Sequence, residues 1–326
     1  MCYSALVNQK LKSLSITYQA RVQIDLFEEL FKSRLEGSGA KISRALEHDF
    51  LSGTKTMQEK RIATSIRDFR KSELEKLSSD LVAQKKRLSV SEKTLLTKVT
   101  KKAQKNQRIA TDKIEAIQRR IERLTSNELN ESDSRIYPGQ YAPLITQLNS
   151  EKVIAPFRYL LRPKGQTPEF DRRYNGAYNI RRDSLQKVFW WKSIYGRHHG
   201  FMEIKSFWEN VKLHDFENRE LKKGEEEKNI ILRFDPDGLD HMIIPCLFDF
   251  NTEGEFPLQS FALITDEPNP EVAAVGHDRT PVIMKEKYID LWLNTSHGNL
   301  ASGDLTRYLP IFEDKQASFL EHRVAA

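Results

Sequence analysis

Residues 71–88 read KSELEKLSSDLVAQKKRL. They lie inside a stretch, 54–137, that holds neither glycine nor proline and is dominated by Lys, Glu, Gln, Arg, Ala and Leu. Such residues lose little freedom in a helix, and nothing here interrupts one. Ile62, Ile66, Phe69, Leu74, Leu77 and Leu81 mark one apolar stripe. Leu95, Leu96 and Val99, then Ile114, Ile117, Ile121 and Leu124, mark a second. The last four of these step by 3, 4 and 3 residues, the spacing of a coiled-coil seam. Ser89-Val90-Ser91-Glu92 has the form of a capping box, so a new helix is expected to start there. The stretch predicts an antiparallel two-helix arm that turns near 87–91.

The flanks differ in kind. Before the arm, Tyr3–Val7 reads as a short strand. An amphipathic helix is expected over Gln19–Arg34, and Gly37 and Gly39 end it. After an acidic linker at 125–135, aromatic, proline and glycine residues return. Short β-type runs follow at Pro143–Thr146, Val153–Ala155, Asn229–Phe234, Met242–Phe248, Leu258–Ile264 and Pro281–Met284. Helices are expected over Ser184–Tyr195 and Lys287–Leu293. The expected fold class is α+β. Residues 1–39 and 134–326 form one discontinuous core, and residues 40–133 form a basic helical insertion looped out of it.

Charge sharpens this division. The chain of 326 residues has a net charge of +6. Residues 40–135 hold 23 Lys and Arg against 14 Asp and Glu, a net of +9, and the remainder carries −3. A basic balance permits a nucleic-acid partner without requiring one. Phe69 is the only aromatic residue between 54 and 136, so any nucleic-acid contact there is with phosphates. A solvated surface or a self-association arm fits the same sequence. Mean hydropathy is −0.60 and no apolar run reaches membrane-span length. The opening MCYSALVNQKLKSLS lacks a signal-peptide apolar region, so a cytoplasmic protein is expected. Two cysteines, Cys2 and Cys246, exclude a disulfide scaffold.

Several short constellations carry chemistry. Asn179-Ile180-Arg181-Arg182-Asp183 joins an amide that both donates and accepts to paired guanidinium forks suited to phosphate. The same residues also fit a helix N-terminus capped by Asp183 or Ser184. Phe207-Trp208-Glu209 places a carboxyl after two aromatic rings, where burial would raise its pKa into the range useful for proton transfer. His277-Asp278-Arg279-Thr280-Pro281 precedes an apolar run and offers a proton shuttle beside an arginine. His198, His199, His241 and Cys246 lack any metal-ligand spacing, and no phosphate-binding loop, dinucleotide fingerprint or G-x-S-x-G appears. No metal and no cofactor are expected.

Cys2 completes the set. A cysteine following Met1 is small enough for methionine removal. That would leave an α-amine, with a pKa of about 8, beside a thiol, with a pKa of about 8.5. An aldehyde can be trapped by the amine as a Schiff base and then by the thiol, closing a thiazolidine.

Together and in this order, Met1-Cys2, Asn179-Ile180-Arg181, Phe207-Trp208-Glu209 and His277-Asp278-Arg279-Thr280-Pro281 resemble the motifs of the SRAP family, the SOS-response-associated peptidases. Phe261–Glu267 is similar to the strand leading into that family's histidine motif, and Tyr137-Pro138-Gly139 to a shortened form of an early segment. The resemblance spans most of 1–35 and 136–326, not 40–135. It implies a core of short mixed and antiparallel strands curled into a barrel-like sheet with flanking helices. It also implies an activity: binding single-stranded DNA at abasic sites and cross-linking Cys2 to the ring-opened sugar aldehyde, with association to the nucleoid when bound. Carried over by position, Cys2 would be the nucleophile and Asn179 would orient the sugar. Glu209 would be the general acid/base, and His277 would assist proton transfer. Arg181 and Arg279 would hold phosphates, with Arg182 as a weaker candidate. Two other functions remain open. One is a cysteine peptidase using Cys2 and His277, its likeliest substrate its own leader. The other is a non-catalytic module binding nucleic acid or a partner through the arm. The sequence departs from the family where Tyr3-Ser4 replace Gly-Arg after the cysteine, where Ser206 replaces a glycine and where Asn210 replaces an aromatic residue.

Overall fold

The computed structural model describes residues 3–53, 56–252, 257–295, 304–314 and 320–325. Met1 and Cys2 lie outside them. In chain order the elements are β1 (Ser4–Val7), α1 (Leu11–Tyr18), β2 (Arg21–Val22), α2 (Ile24–Leu35), β3 (Lys41–Ile42), α3 (Arg44–Leu51), α4 (Met57–Thr97) and α5 (Lys101–Thr125). There follow β4 (Arg135–Ile136), β5 (Gln140–Leu148), β6 (Glu151–Tyr159), α6 (Glu169–Arg173), β7 (Asn179–Arg181), α7 (Phe189–Ile194), β8 (His199–Lys212) and α8 (Leu213–Phe216). The last are β9 (Asn229–Pro236), β10 (Met242–Asn251), β11 (Leu258–Asp266), α9 (Pro270–Ala274), β12 (Thr280–Pro281), α10 (Ile289–Leu293), α11 (Leu309–Glu313) and β13 (Leu320–Val324).

Five strands close on themselves. β8 pairs with β10, β10 with β11, β11 with β6, β6 with β5, and β5 returns to β8 through Ile145 and Phe201. Closure removes the ring's unpaired edges. The fold class is thus α+β, a small barrel with helices around it. Strand alternation sorts the apolar residues into two cores. Ala142, Leu144, Phe157, Met202, Ile244 and Leu263 pack together in one. Phe27, Phe31, Phe50, Ile154, Ile243 and Ile264 pack with the helices in the other.

β8 is longer than its partner strands and bends. Leu6 pairs with Ser206 but Val7 pairs with Ile204, so Lys205 is an extra residue, a β-bulge. The bulge reverses the side-chain parity. Met202 and Ile204 point inward before it; Phe207 and Val211, with Glu209 between them in alternation, point inward after it. Without the bulge, Trp208 would face the interior and Glu209 would face out.

The arm differs from expectation in where it turns. α4 begins at a capping box formed by Thr56 and Glu59 and runs unbroken through 89–92 to Thr97. Ser91 does not cap; its hydroxyl bonds the Arg87 carbonyl one turn back at 2.9 Å. The reversal comes at Lys98-Val99-Thr100, where Lys98 is extended and the Thr100 hydroxyl accepts from the Ala103 amide. A weak cap signal flanked by good helix formers does not end a helix. Arg87 to Asn106 at 2.7 Å and Arg120 to Glu73 at 2.6 Å fix the antiparallel register. Ser91, Ala103 and Ala110 are buried small residues that let the helices approach. Leu96 and Val99, expected in the apolar stripe, are 87% and 70% exposed.

The arm is rooted by α4's first turns. Ile62 and Ile66 are fully buried with Phe27, Phe31 and Phe50. Near them the Glu47 carboxylate takes Arg34 at 2.6 Å and Arg70 at 2.5 Å. The Arg34 guanidinium lies 4.1 Å from the Phe69 ring centroid. The returning end of α5, also at the root, is tied by buried Asp133, which receives Arg44 at 3.1 Å and Arg123 at 2.8 Å.

Smaller departures have local causes. The helix expected over Gln19–Arg34 starts at Ile24, because the left-handed Gln19 ends α1 and Arg21–Val22 pair with β6. Of the helix expected over Ser184–Tyr195, the second half forms as α7 over Phe189–Ile194, and the first half is turn. The run at Pro281–Met284 pairs as a strand only at Thr280–Pro281, and Val282 and Met284 then bond singly to Ile264 and Ile243. Among the described residues no helix is long and apolar enough to cross a membrane.

Candidate functional site

The strand directions bring the candidate residues to one rim. β8 and β11 each run antiparallel to β10, so their C-terminal ends open the same end of the barrel. Glu209 lies near the C-terminal end of β8. Asn179 lies on β7 beside Leu263 of β11. The chain leaving β11 passes through α9 to His277 and returns as β12. β1 reaches the same rim from the other side: Ser4 pairs with Trp208, and the Tyr3 amide donates to the Trp208 carbonyl at 3.0 Å.

Glu209 is fully buried, and burial pushes its carboxyl up to about 8, with Asp278 adding to the rise. It is therefore mainly protonated at neutral pH. His277 Nε2 stands 3.5 Å from Glu209 Oε2, and burial pulls the imidazole down to about 4. Both partners are thus neutral near pH 7, so this contact is not a salt bridge. His277 Nδ1 is 2.9 Å from the Arg279 carbonyl, closer than its 3.3 Å to the Arg279 amide. We assign the ring proton to Nδ1, donating to that carbonyl, which leaves the Nε2 lone pair facing Glu209.

Backbone geometry fixes the histidine loop. The His277 amide donates to Val272 at 3.2 Å. Gly276 has φ of +82°, and a Cβ there would lie 2.5 Å from Cβ of Asp215 on α8. Only glycine fits, and the loop rests on the helix that directly follows β8.

The remaining candidates differ in access. Asn179 is buried and its Oδ1 accepts from the Tyr159 hydroxyl at 3.3 Å. Arg181 is exposed and forked on Asp183, with Nε 3.1 Å from Oδ1. Arg182 lies just past β7, in a single helical turn over Arg182–Ser184, 3.1 Å from Asp266 and over the Phe312 ring. Arg279 is buried and 3.5 Å from Glu267, while its carbonyl serves His277. Cys2 lies outside the described residues. His199 is structural: it is stacked 3.8 Å from Trp292, donates to the Trp292 carbonyl and accepts from Gly196, and burial holds its pKa near 3. Cys246 is buried, and burial raises its thiol well above the usual value. Such a thiol is no nucleophile at neutral pH.

Sequence reading missed two partners. Tyr159 lies just past the run expected at Val153–Ala155, and the continued alternation through Phe157 would have reached it. Arg135 carries no motif. Its Nε donates to the buried Ser4 hydroxyl at 2.8 Å, and its guanidinium stacks 4.0 Å from Trp208. A guanidinium therefore reaches position 4 from β4, where the sequence has a serine in place of the expected arginine.

The family profile described as SOS response associated peptidase (SRAP) matches residues 99–321. The chain belongs to this family. Among solved structures, one from Bacteroides thetaiotaomicron is similar, with 13% identity and a TM-score of 0.45 over 59% of this chain and 77% of that one. One from Bordetella bronchiseptica has 18% identity and a TM-score of 0.45, over 62% of this chain and 90% of that one. A phage-related protein from the same organism has 14% identity and a TM-score of 0.42, over 59% of this chain and 80% of that one. No curated protein sequence matches.

Proposed function

We propose that this SRAP protein captures abasic sites in single-stranded DNA by a covalent thiazolidine at Cys2. The supporting observation is the buried, neutral Glu209–His277 pair one peptide unit beyond the point where Tyr3 joins Trp208. In this reading Met1 is removed and the Cys2 amine adds to the C1′ aldehyde of the opened sugar. The protonated Glu209 gives its proton to the leaving hydroxyl, so one water departs and a Schiff base forms. The Cys2 thiol then adds to the imine carbon and its proton passes to the nitrogen, closing the ring. His277, with its Nε2 lone pair toward Glu209, moves the proton between steps. Asn179, held by Tyr159, orients the sugar, and the exposed Arg181 takes a flanking phosphate more readily than the buried Arg279. Arg182, paired with Asp266 beyond the end of β7, contributes less. The protein works where DNA is exposed to damage, in the cytoplasm and on the nucleoid.

The test is a denaturing gel after incubation with an abasic-site oligonucleotide. Wild type is expected to give a shifted covalent band and Cys2→Ala none. No band with wild type of confirmed intact mass beginning at Cys2 sinks the proposal. Appearance of new peptide termini in a substrate, lost in His277→Ala, would favour the peptidase reading that the family description carries.

A further inference from the structure

The far half of the arm is built unlike its root. Beyond Arg70, α4 keeps no ion pair with the barrel side among the described residues, and Glu73 instead reaches across to Arg120 of α5. From Leu74 to Thr97 this projection extends roughly 35 Å at 1.5 Å per residue. Its end, residues 85–113, holds ten Lys and Arg against two Asp and Glu, a net of +8. Nine of the ten are exposed, and none of those nine pairs with a described carboxylate within 4.0 Å. The register places Lys85 level with Arg108, and Lys93 level with the start of α5. Cations therefore gather from both helices around one end. At the root, by contrast, Arg61, Arg70, Arg120 and Arg123 all have carboxylate partners.

Like charges crowded this way repel, so the end is unsuited to pairing with a second copy of itself. It fits a polyanion. Membrane-surface helices anchor with aromatic rings, and there is none between residues 70 and 136. The same lack of rings excludes base stacking and leaves backbone phosphate as the matching ligand. We propose that residues 85–113 form a second nucleic-acid contact, separate from the barrel rim. It binds phosphates without regard to sequence or lesion. The contact goes beyond the Cys2 chemistry and does not depend on it.

The experiment measures binding of the full chain to an undamaged single-stranded oligonucleotide and to its duplex, by fluorescence anisotropy over a salt series. The quadruple variant Lys85→Glu, Lys93→Glu, Lys101→Glu, Lys105→Glu is compared with wild type. A matching set of Lys→Gln changes, with helicity checked by circular dichroism, controls for arm folding. Affinity at low salt is expected to fall at least ~10-fold in both sets, and the slope of log K against log salt to shrink by about 3. Unchanged affinity and slope overturn the proposal. So does binding of wild type to phosphatidylserine vesicles that the variants lose while keeping DNA. The cross-link to an abasic oligonucleotide at saturating protein is expected to persist in the variants. If wild type makes no cross-link but the tip effect stands, only the Cys2 reading fails.

Discussion

The barrel rim and the root of the arm both bury titratable side chains against each other, and they deal with charge in opposite ways. At the rim, Glu209 and His277 shed their charges: burial raises one pKa and lowers the other until both are neutral near pH 7. At the root, Arg34 and Arg70 both close on the Glu47 carboxylate. Burial works against the Arg34 cation, but Glu47 offsets it and the Phe31 and Phe69 rings flank it. The difference follows from composition. A carboxylate between two guanidinium groups is compensated where it stands, whereas a carboxyl beside an imidazole gains little from ionising. A neutral pair can pass a proton; a clamped ion triad holds helices together. The arm's tip is a third case, where cations stay hydrated and unpaired.

The largest expected effect tests the root. Glu47→Ala would leave Arg34, which is 4% exposed, and its neighbour Arg70 without their shared anion. Removing one partner from a buried ion cluster costs about 3–5 kcal/mol. Denaturant unfolding of Glu47→Ala should show a loss of that size, and Glu47→Gln a smaller one. A loss below ~1 kcal/mol would mean the root is held by Ile62 and Ile66 alone.

Next in size is a pH effect at the rim. The folded Glu209 carboxyl titrates near 8, above its unfolded value near 4.5. The folded state therefore holds a proton that the unfolded state has released, and stability falls as pH rises between those values. His277, lowered to about 4 from 6.5, acts in the opposite sense below 6.5, where the two slopes largely cancel. Above 6.5 Glu209 acts alone. From there to pH 8 wild type should lose about 2 kcal/mol relative to Glu209→Gln. Parallel stability curves for the two proteins across that window would contradict a neutral rim.

How much of this the sequence reveals depends on how local each cause is. The arm is legible because helix formation is written residue by residue over 54–137. Its turn is not, since the two exposed residues Lys98 and Val99 and a Thr100 cap compete with a similar signal at Ser89–Glu92. Most barrel strands show as apolar runs. β8 does not, because the Lys205 bulge shifts its alternation midway, and that bulge also aims Glu209 inward. Glu209 and His277 can each be named from their neighbours in sequence. Their 3.5 Å contact cannot, since it depends on β10 bringing β8 and β11 into parallel and on Gly276 seating against Asp215.

The smallest effect is expected at Leu96, and it bears on what the tip is for. Its apolar side chain, 87% exposed one residue before α4 ends, packs against neither core. Leu96→Ser should change stability by less than about 0.5 kcal/mol, as exposed substitutions do. A seam leucine such as Leu77, 6% exposed between the helices, should instead lose about 2–5 kcal/mol on truncation to alanine. A Leu96→Ser loss above ~1 kcal/mol that grew with protein concentration would place Leu96 in an interface between two copies. Such an interface would have to overcome the repulsion of two tips each carrying +8, and salt would strengthen it. For a tip that meets nucleic acid, salt does the reverse: it weakens binding as counterions compete for the phosphates. The sign of the salt effect therefore separates the two uses of the arm, and Leu96→Ser shows which one the apolar side chain serves.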